Sequence, residues 1–248
     1  MSSNWPEGTG RIILSEIDST NAEAARRAPE LRGPAWILAL RQTQGRGRRG
    51  RAWHDPKGNF AATYLCRPEG APEQVAMRSF MAALALHEAL VTVTGRPGSF
   101  ALKWPNDVLL NGGKLAGILL ESLGQGGGVS HLAIGIGVNL RAAPEAEPGA
   151  TPPVDLLSET GCAVTPQEFL DLLAPAFARW EAQFVTYGFG PIRTAWLDRA
   201  ARLGAQVTAR TLREEQTGTF EGIDANGALL LRTGRGRIAI PAADVYFS

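Results

Sequence analysis

The spacing of apolar positions changes period several times along the chain, and each change marks an element. Arg11-Ile12-Ile13-Leu14 alternates as a strand does, and Thr20 with Glu23 three residues on forms a capping box opening a helix through AEAARRA. Ala35 to Leu40 is an apolar run of strand length, with Asn59 to Leu65 as its expected partner and a Gly/Arg loop held between them. From Pro72 to Thr94 the chain is rich in Ala, Leu and Met, which predicts a long buried helix stopped at Gly95 and Pro97.

Three apolar runs follow: Phe100 to Trp104, Val108 to Leu110 and Leu115 to Glu121. A Pro105-Asn106-Asp107 turn and the hairpin signal Asn111-Gly112-Gly113 separate them, so three adjacent antiparallel strands are expected. After a Gly-rich link over 124–128, Leu132 to Asn139 alternates small and branched residues, as a central strand does where something approaches one face closely. Residues 142–153, rich in Pro, Ala and Glu, read as a surface loop. Thr165-Pro166-Gln167-Glu168 is a second capping box, starting a helix to about Tyr187 that Gly188 and Gly190 end; a further helix through Trp196 stops at Gly204.

Beyond that point the pattern shortens to strands at 205–209, 217–223, 228–231 and 237–240, the pattern of a small separate β-barrel. The chain is therefore expected to be α+β, with a large domain over 1–200 and a β domain over 201–248.

Composition narrows the function classes. With 44% hydrophobic and 20% charged residues and a net charge of +1 over 248 residues, the chain is an ordinary globular protein without the global basic field of whole-surface nucleic-acid binders. Any anion chemistry has to be local. Cys66 and Cys162 form no CxxC pair and read as small apolar residues of a reducing compartment. The N-terminal residues have no basic-then-apolar leader, and no uninterrupted apolar stretch reaches about 18 residues, so a soluble cytoplasmic protein is expected.

Arg46, Arg48, Arg49 and Arg51, spaced by glycines and followed by Trp53, concentrate positive charge on a pliable backbone beside a ring able to stack on a base. A nucleotide phosphate suits this loop; taken alone it equally fits an RNA-binding patch or a solvated turn. Lys103-Trp104-Pro105-Asn106-Asp107, with Lys114 seven residues later, brings two lysines, an amide and a carboxylate around one hairpin. Asp107 can hold Mg²⁺ and the lysines can neutralise a phosphate or carboxylate, against the plainer view of a turn and a solvated hairpin tip.

Taken in order, Asp18-Ser19-Thr20-Asn21, QTQGRGRRGRAW, KWPND, KLAGILLE and GIGVN resemble the motifs of biotin–protein ligases, over roughly residues 11 to 140. The C-terminal strands with GIDANGALLL resemble that family's small SH3-like domain. The resemblance implies a class II synthetase-like biotin/lipoate ligase catalytic domain, with a mixed, largely antiparallel sheet backed by helices. It implies a two-step reaction with Mg²⁺ in which biotin and ATP give biotinyl-5′-AMP, and a lysine of a biotin carboxyl carrier protein then takes the biotinyl group.

Carried over residue by residue, Ser19, Thr20, Asn21 and Gln42 would contact biotin. Arg46, Gly47 and Arg48 would cover its carboxylate and the adenylate phosphate, with Lys114 and Arg48 acting on the reacting groups. Arg48, Arg51, Trp53, Lys103, Asn106, Asp107, Lys114 and Asn139 would serve the nucleotide, Asp107 also as the Mg²⁺ ligand. The loop is expected to be mobile when empty and ordered by its anion.

About ten residues precede the first strand, so the form lacking a DNA-binding domain is expected. Expected partners are biotin, ATP and the carrier domain, without DNA or membrane; a homodimer stays open. Glu221 stands where some relatives carry a basic residue, so no C-terminal residue is placed in the site. Two rivals remain. A lipoate or octanoate ligase or transferase of the same fold would lack the GRGRRGR loop, and its octanoyl type needs a nucleophilic cysteine. A nucleic-acid-binding module would bind in a salt-sensitive way.

Overall fold

A computed structural model describes residues 4–54, 56–124, 129–146, 148–211 and 214–247; most of the Gly-rich link over 124–128 lies outside them. Among these residues the first elements are β1 (Gly10–Leu14), α1 (Thr20–Arg27), β2 (Ala35–Ala39), β3 (Phe60–Cys66), α2 (Pro72–Ala76) and α3 (Arg78–Thr94). Then come β4 (Phe100–Lys103), β5 (Asp107–Leu110), β6 (Gly113–Leu123), β7 (His131–Val138), α4 (Leu156–Thr160), α5 (Pro166–Tyr187) and α6 (Phe189–Leu197). The chain finishes with β8 (Gln206–Arg210), β9 (Glu215–Ile223), β10 (Leu229–Thr233), β11 (Gly236–Ile240) and β12 (Asp244–Phe247).

The first seven strands form one sheet in the order β1-β2-β3-β7-β6-β5-β4. Its β1–β2 pair is parallel and the others are antiparallel, the mixed, largely antiparallel sheet expected from the sequence. The GIGV strand β7 is at its centre, where alternation of branched and small residues gives the sheet two different faces. Ile134, Ile136 and Val138 point into the main core with Phe80, Leu84 and Leu90 of α3 and Phe169 and Phe177 of α5. Ala133 faces the other way, beside Ile37 and Leu65, under Ala24 of α1 and Ala28 just after it. Helix α1 covers only part of that second face, and the rest of it becomes the site.

Two expectations on local structure need correction. The helix expected over 72–94 is broken at Met77, whose N–H turns back to Gln74 O in a tight turn, so α2 and α3 are separate. The segment Pro72–Thr94 is apolar and long enough to cross a membrane by length and composition, yet most of its apolar stretch is buried inside the fold. The capping box at Thr165 and Glu168 is present, whereas the one at Thr20 and Glu23 is not. There Ser19 is the N-cap residue, Glu23 pairs with Arg26 and Arg27, and the Thr20 hydroxyl is drawn to Gln42 instead.

The last five strands form an antiparallel sheet in the order β11-β10-β9-β8-β12. Among the described residues its end strands do not pair with each other, so the sheet is open and not the expected closed barrel. Strand β12 lies at one end, where its first residues meet the large unit. The two sheets share one core: Phe220, Ile223, Leu229 and Val245 of the second sheet belong to the same buried cluster as Leu102, Val108 and Ile136 of the first, and Trp104 Nε1 donates to Gly227 O at 3.0 Å. That continuity holds the start of β12 against the site.

Candidate active site

A cavity of about 780 Å³ opens on the small-residue face of the large sheet, and every site residue anticipated from the sequence lines it. Its floor is made by glycines. Gly117 of β6 and Gly137 of β7 are register partners, and the Trp53 indole lies over them so closely that a Cβ on Gly137 would approach the ring within 3.0 Å. A Cβ on Gly135 would collide in the same way with the Asn21 side chain. Here the alternation in GIGV serves close approach: any larger residue would fill the space over the sheet.

One wall is a polar chain running from α1 across β3 to β6. Gln42 Oε1 accepts from Thr20 N–H at 2.8 Å and from Thr20 Oγ1 at 3.1 Å. The buried Thr63 hydroxyl reaches Thr20 Oγ1 at 2.8 Å and Asn21 Oδ1 at 2.6 Å, and Asn21 Nδ2 donates to Glu121 Oε2 at 2.7 Å. Each side chain is fixed by the next, giving a preorganised polar surface beside an apolar floor. Neither Thr63 nor Glu121 stands out in the sequence as a site residue. Glu121 merely closes the KLAGILLE run, and Thr63 looks like an ordinary strand residue; only the pairing of β3 with β7 brings it under Asn21.

The Gly/Arg loop is a folded hairpin. Trp53 N–H donates to Gly45 O at 2.9 Å and Gly47 N–H to Arg51 O at 2.8 Å, with a left-handed bend at Arg49 (φ 58°) and Gly50 (φ 73°). Arg46 stands 3.9 Å from Glu121, half exposed at the mouth. Arg48 donates to Asn106 Oδ1 at 3.3 Å. Burial lowers its pKa, and the nearby Asp244 works in the opposite sense. Arg49 and Arg51 pair with Asp244 of β12 at 2.8 and 2.6 Å. Thus the C-terminal unit does enter the wall, through Asp244, Val245 and Tyr246. Glu221 is not the route: it is spent on Arg232 and Arg237.

The opposite wall comes from the β4–β5–β6 hairpins. Lys114 is not a solvated tip, because the turn is made by Asn111 (φ 51°) and Gly112 (φ 85°), and Lys114 already belongs to β6. Its Nζ is 2.8 Å from Asp107 Oδ1 and 5.9 Å from the centre of the Trp53 ring. Asp107 Oδ1 is buried without a directed hydrogen bond, so the contact is mainly Coulombic and leaves this oxygen acceptor capacity. Asn106 is locked by Nδ2 to Ile118 O at 2.6 Å, and Lys103 Nζ donates to Thr151 Oγ1 at 2.6 Å. Burial lowers the Lys103 pKa, against the opposing pull of Asp107. Asn139 donates to Val154 O at 3.0 Å while its Oδ1 is buried without a partner.

Among the described lining residues five cations, Arg46, Arg48, Arg51, Lys103 and Lys114, face three carboxylates, so a protein of net charge +1 concentrates an anion-binding field here. No group of three His, Cys, Asp or Glu side chains converges anywhere among the described residues, so no all-protein metal cage is formed there. Neither cysteine lines the cavity: Cys66 is buried in β3, where burial pushes its thiol up to about 12.

A glycine-floored cavity with a polar wall on one side and clustered cations on the other is the architecture of an enzyme that joins an acid to a phosphate-bearing substrate. The sequence pattern of the biotin/lipoate A/B protein ligase family matches residues 13–139, and that of the biotin protein ligase C-terminal domain matches residues 203–248. The chain is 62% identical to the biotin–(acetyl-CoA-carboxylase) ligase of Paracoccus denitrificans, over 95% of this chain and 99% of that protein. It is 32% identical to the bifunctional ligase/repressor BirA of Bacillus subtilis, over 94% of this chain and 71% of that protein. The structure of a biotin protein ligase from Aquifex aeolicus in complex with biotin and ATP superposes with a TM-score of 0.83 at 27% identity, covering 96% of this chain and 99% of that one. The chain belongs to the biotin protein ligase family.

Proposed function

We propose that this protein is an ATP-dependent ligase that activates biotin as biotinyl-5′-AMP and transfers it to a lysine of a biotin carboxyl carrier domain. The observation that carries the reading is the cavity itself: a polar wall of Thr20, Asn21 and Gln42 opposite Lys114, Arg48 and Lys103, over a floor that admits a flat ring system. The first wall has donors and acceptors for a ureido group; the second has cations for a carboxylate and a phosphate.

In the first step a biotin carboxylate oxygen attacks the α-phosphorus of ATP, the bond from that phosphorus to the β-bridging oxygen breaks, and pyrophosphate leaves. Two unit anions brought to about 4 Å repel by roughly 4 kcal/mol at an effective dielectric near 20. Lys114 and Arg48 offset that repulsion, and fixing both substrates against opposite walls supplies the orientation term. In the second step the uncharged amine of the carrier lysine attacks the acyl carbon, the acyl–oxygen bond breaks, AMP leaves, and the amine proton passes to solvent. Here the loop over the cavity keeps water from the mixed anhydride until the carrier docks.

Within this reading Ser19, Thr20, Asn21, Gln42, Arg46 and Gly47 belong to the biotin side, and Arg51, Trp53, Lys103, Asn106, Asp107 and Asn139 to the nucleotide side. Mg²⁺ enters as the counter-ion of ATP. Asp107, whose Oδ1 retains acceptor capacity beside Lys114, would supply one carboxylate to that ion, which would offset the charge of the phosphates. Residues 1–200 form the catalytic domain and 201–248 a second domain that completes its wall.

The test is biotin-dependent exchange of labelled pyrophosphate into ATP, with lipoate as control acid. Exchange with biotin and not with lipoate is expected. Exchange with lipoate alone would assign the protein to the other branch of the family, and no exchange with either acid would overturn the proposal.

A further inference from the structure

The Gly/Arg loop is held by more than its own hairpin bonds. Arg49 Nη1 lies 2.8 Å and Arg51 Nη2 2.6 Å from the same oxygen, Oδ2 of Asp244, and Arg48 Nη1 is 3.7 Å from Oδ1. Asp244 is the first residue of β12 and its side chain is only 17% exposed, so this carboxylate is held by the C-terminal sheet and partly screened from water. The three arginines are not held equally. Arg49 and Arg51 are in direct contact, whereas Arg48 sits farther off and is steadied by two neutral oxygens, Asn106 Oδ1 and Ala243 O. One negative charge against three positive ones leaves an excess for an incoming anion.

From this asymmetry we infer that Asp244 is a positioning residue. It anchors the tip of the loop through Arg49 and Arg51, keeps the loop across the cavity mouth, and leaves the Arg48 guanidinium available to the phosphate of a bound acyl-adenylate. The C-terminal unit thereby contributes to retention of the intermediate, which a lid tied only through its own hairpin would not secure. The inference rests on the proposed ligase activity. It differs from a place-holder role, in which Asp244 would compete with the phosphate for the arginines and its loss would strengthen binding.

The experiment forms biotinyl-5′-AMP on the full chain from biotin and Mg–ATP, removes free substrate, and follows loss of the bound intermediate without carrier. Wild-type protein that makes no adenylate would fail the ligase proposal and not this one. Given that adenylate forms, Asp244→Asn should shorten its lifetime about tenfold, the scale of losing two partly screened charge-assisted contacts. Asp244→Glu, which keeps the charge, should recover most of the lifetime. Arg49→Gln, which removes one of the two contacts, should show part of the Asp244→Asn defect, and the double variant should be no worse than Asp244→Asn alone. A shorter lifetime of the intermediate with an unchanged thermal unfolding midpoint is the readout a merely structural role would not produce, and Arg49→Gln decides the matter if Asp244→Asn does not fold. An unchanged lifetime in Asp244→Asn overturns the inference. So does a longer one, or a defect that Asp244→Glu fails to relieve while Arg49→Gln behaves as wild type.

Discussion

Replacing Lys114 by alanine is the most direct probe of the proposed chemistry. In the structure Nζ lies 2.8 Å from Asp107 Oδ1 and faces the cavity with its side chain about a third exposed. The substitution removes one preorganised cation from the transition state, a loss of roughly 3 kcal/mol or about 10²-fold in rate. It also uncovers the Asp107 carboxylate on the wall facing the phosphates. Repulsion across an assumed ~6 Å at an effective dielectric of about 20 is some 3 kcal/mol before screening, and solvent at the cavity mouth cuts it to about a third. The expected loss in biotin-dependent pyrophosphate exchange is therefore about 10² to 10³-fold, with an unchanged fold by circular dichroism. Adding Asp107→Asn to Lys114→Ala separates the duties of the carboxylate: partial recovery identifies it as chiefly the counter-ion of Lys114, a further fall as a Mg²⁺ ligand. Exchange by Lys114→Ala within about threefold of wild type would refute the reasoning and leave Lys114 as a strand residue with a surface ion pair.

Gly137→Ala should displace the Trp53 indole, because a Cβ there would approach the ring within 3.0 Å; a strain of about 1 to 3 kcal/mol predicts a rise of roughly tenfold or more in KM for ATP and a shift in tryptophan emission. An unaltered emission spectrum and KM would show that the ring yields freely. Cys66→Ser should retain at least half of the exchange activity, since the thiol is buried outside the cavity and burial pushes it up to about 12; complete loss of exchange by a folded variant would reopen cysteine chemistry. His87 is held well below its usual 6.5, at about 4, by burial first and the nearby Arg199 charge second. Because the folded state disfavours its proton, the unfolded chain binds more protons between those two values, and stability falls as pH drops through that window. From pH 7 to pH 5 this single group should remove about 2 kcal/mol in denaturant unfolding, an upper figure that His87→Gln should largely abolish. An equal pH slope in the variant would assign the loss to other groups.

Much of the fold was legible in the chain because its signals are local. The alternation in Leu132 to Val138 marked a central strand, and Asn111-Gly112 marked a hairpin whose two positive φ angles the structure contains. The second capping box did the same for the start of α5. The first capping box misled for a physical reason. Ser, Thr and Glu near a helix start have several competing partners, and at Thr20 the tertiary partners Gln42 and Thr63 outcompete the local N–H. Nothing in the sequence indicates where those partners will be.

The sequence by itself determined the α+β class, the strand periods, and the inventory of cationic and amide side chains, since those follow from residue type and spacing at short range. Only the tertiary structure decided what that inventory faces. The loop arginines are anchored by Asp244, roughly two hundred residues away, Lys114 is drawn into a strand against Asp107, and Thr63 is placed beneath Asn21. It also decided that the last strands remain an open sheet, whose β12 completes the wall of the cavity. Charge pairing and strand order act across space, and chain position leaves both undetermined until the two sheets share one core.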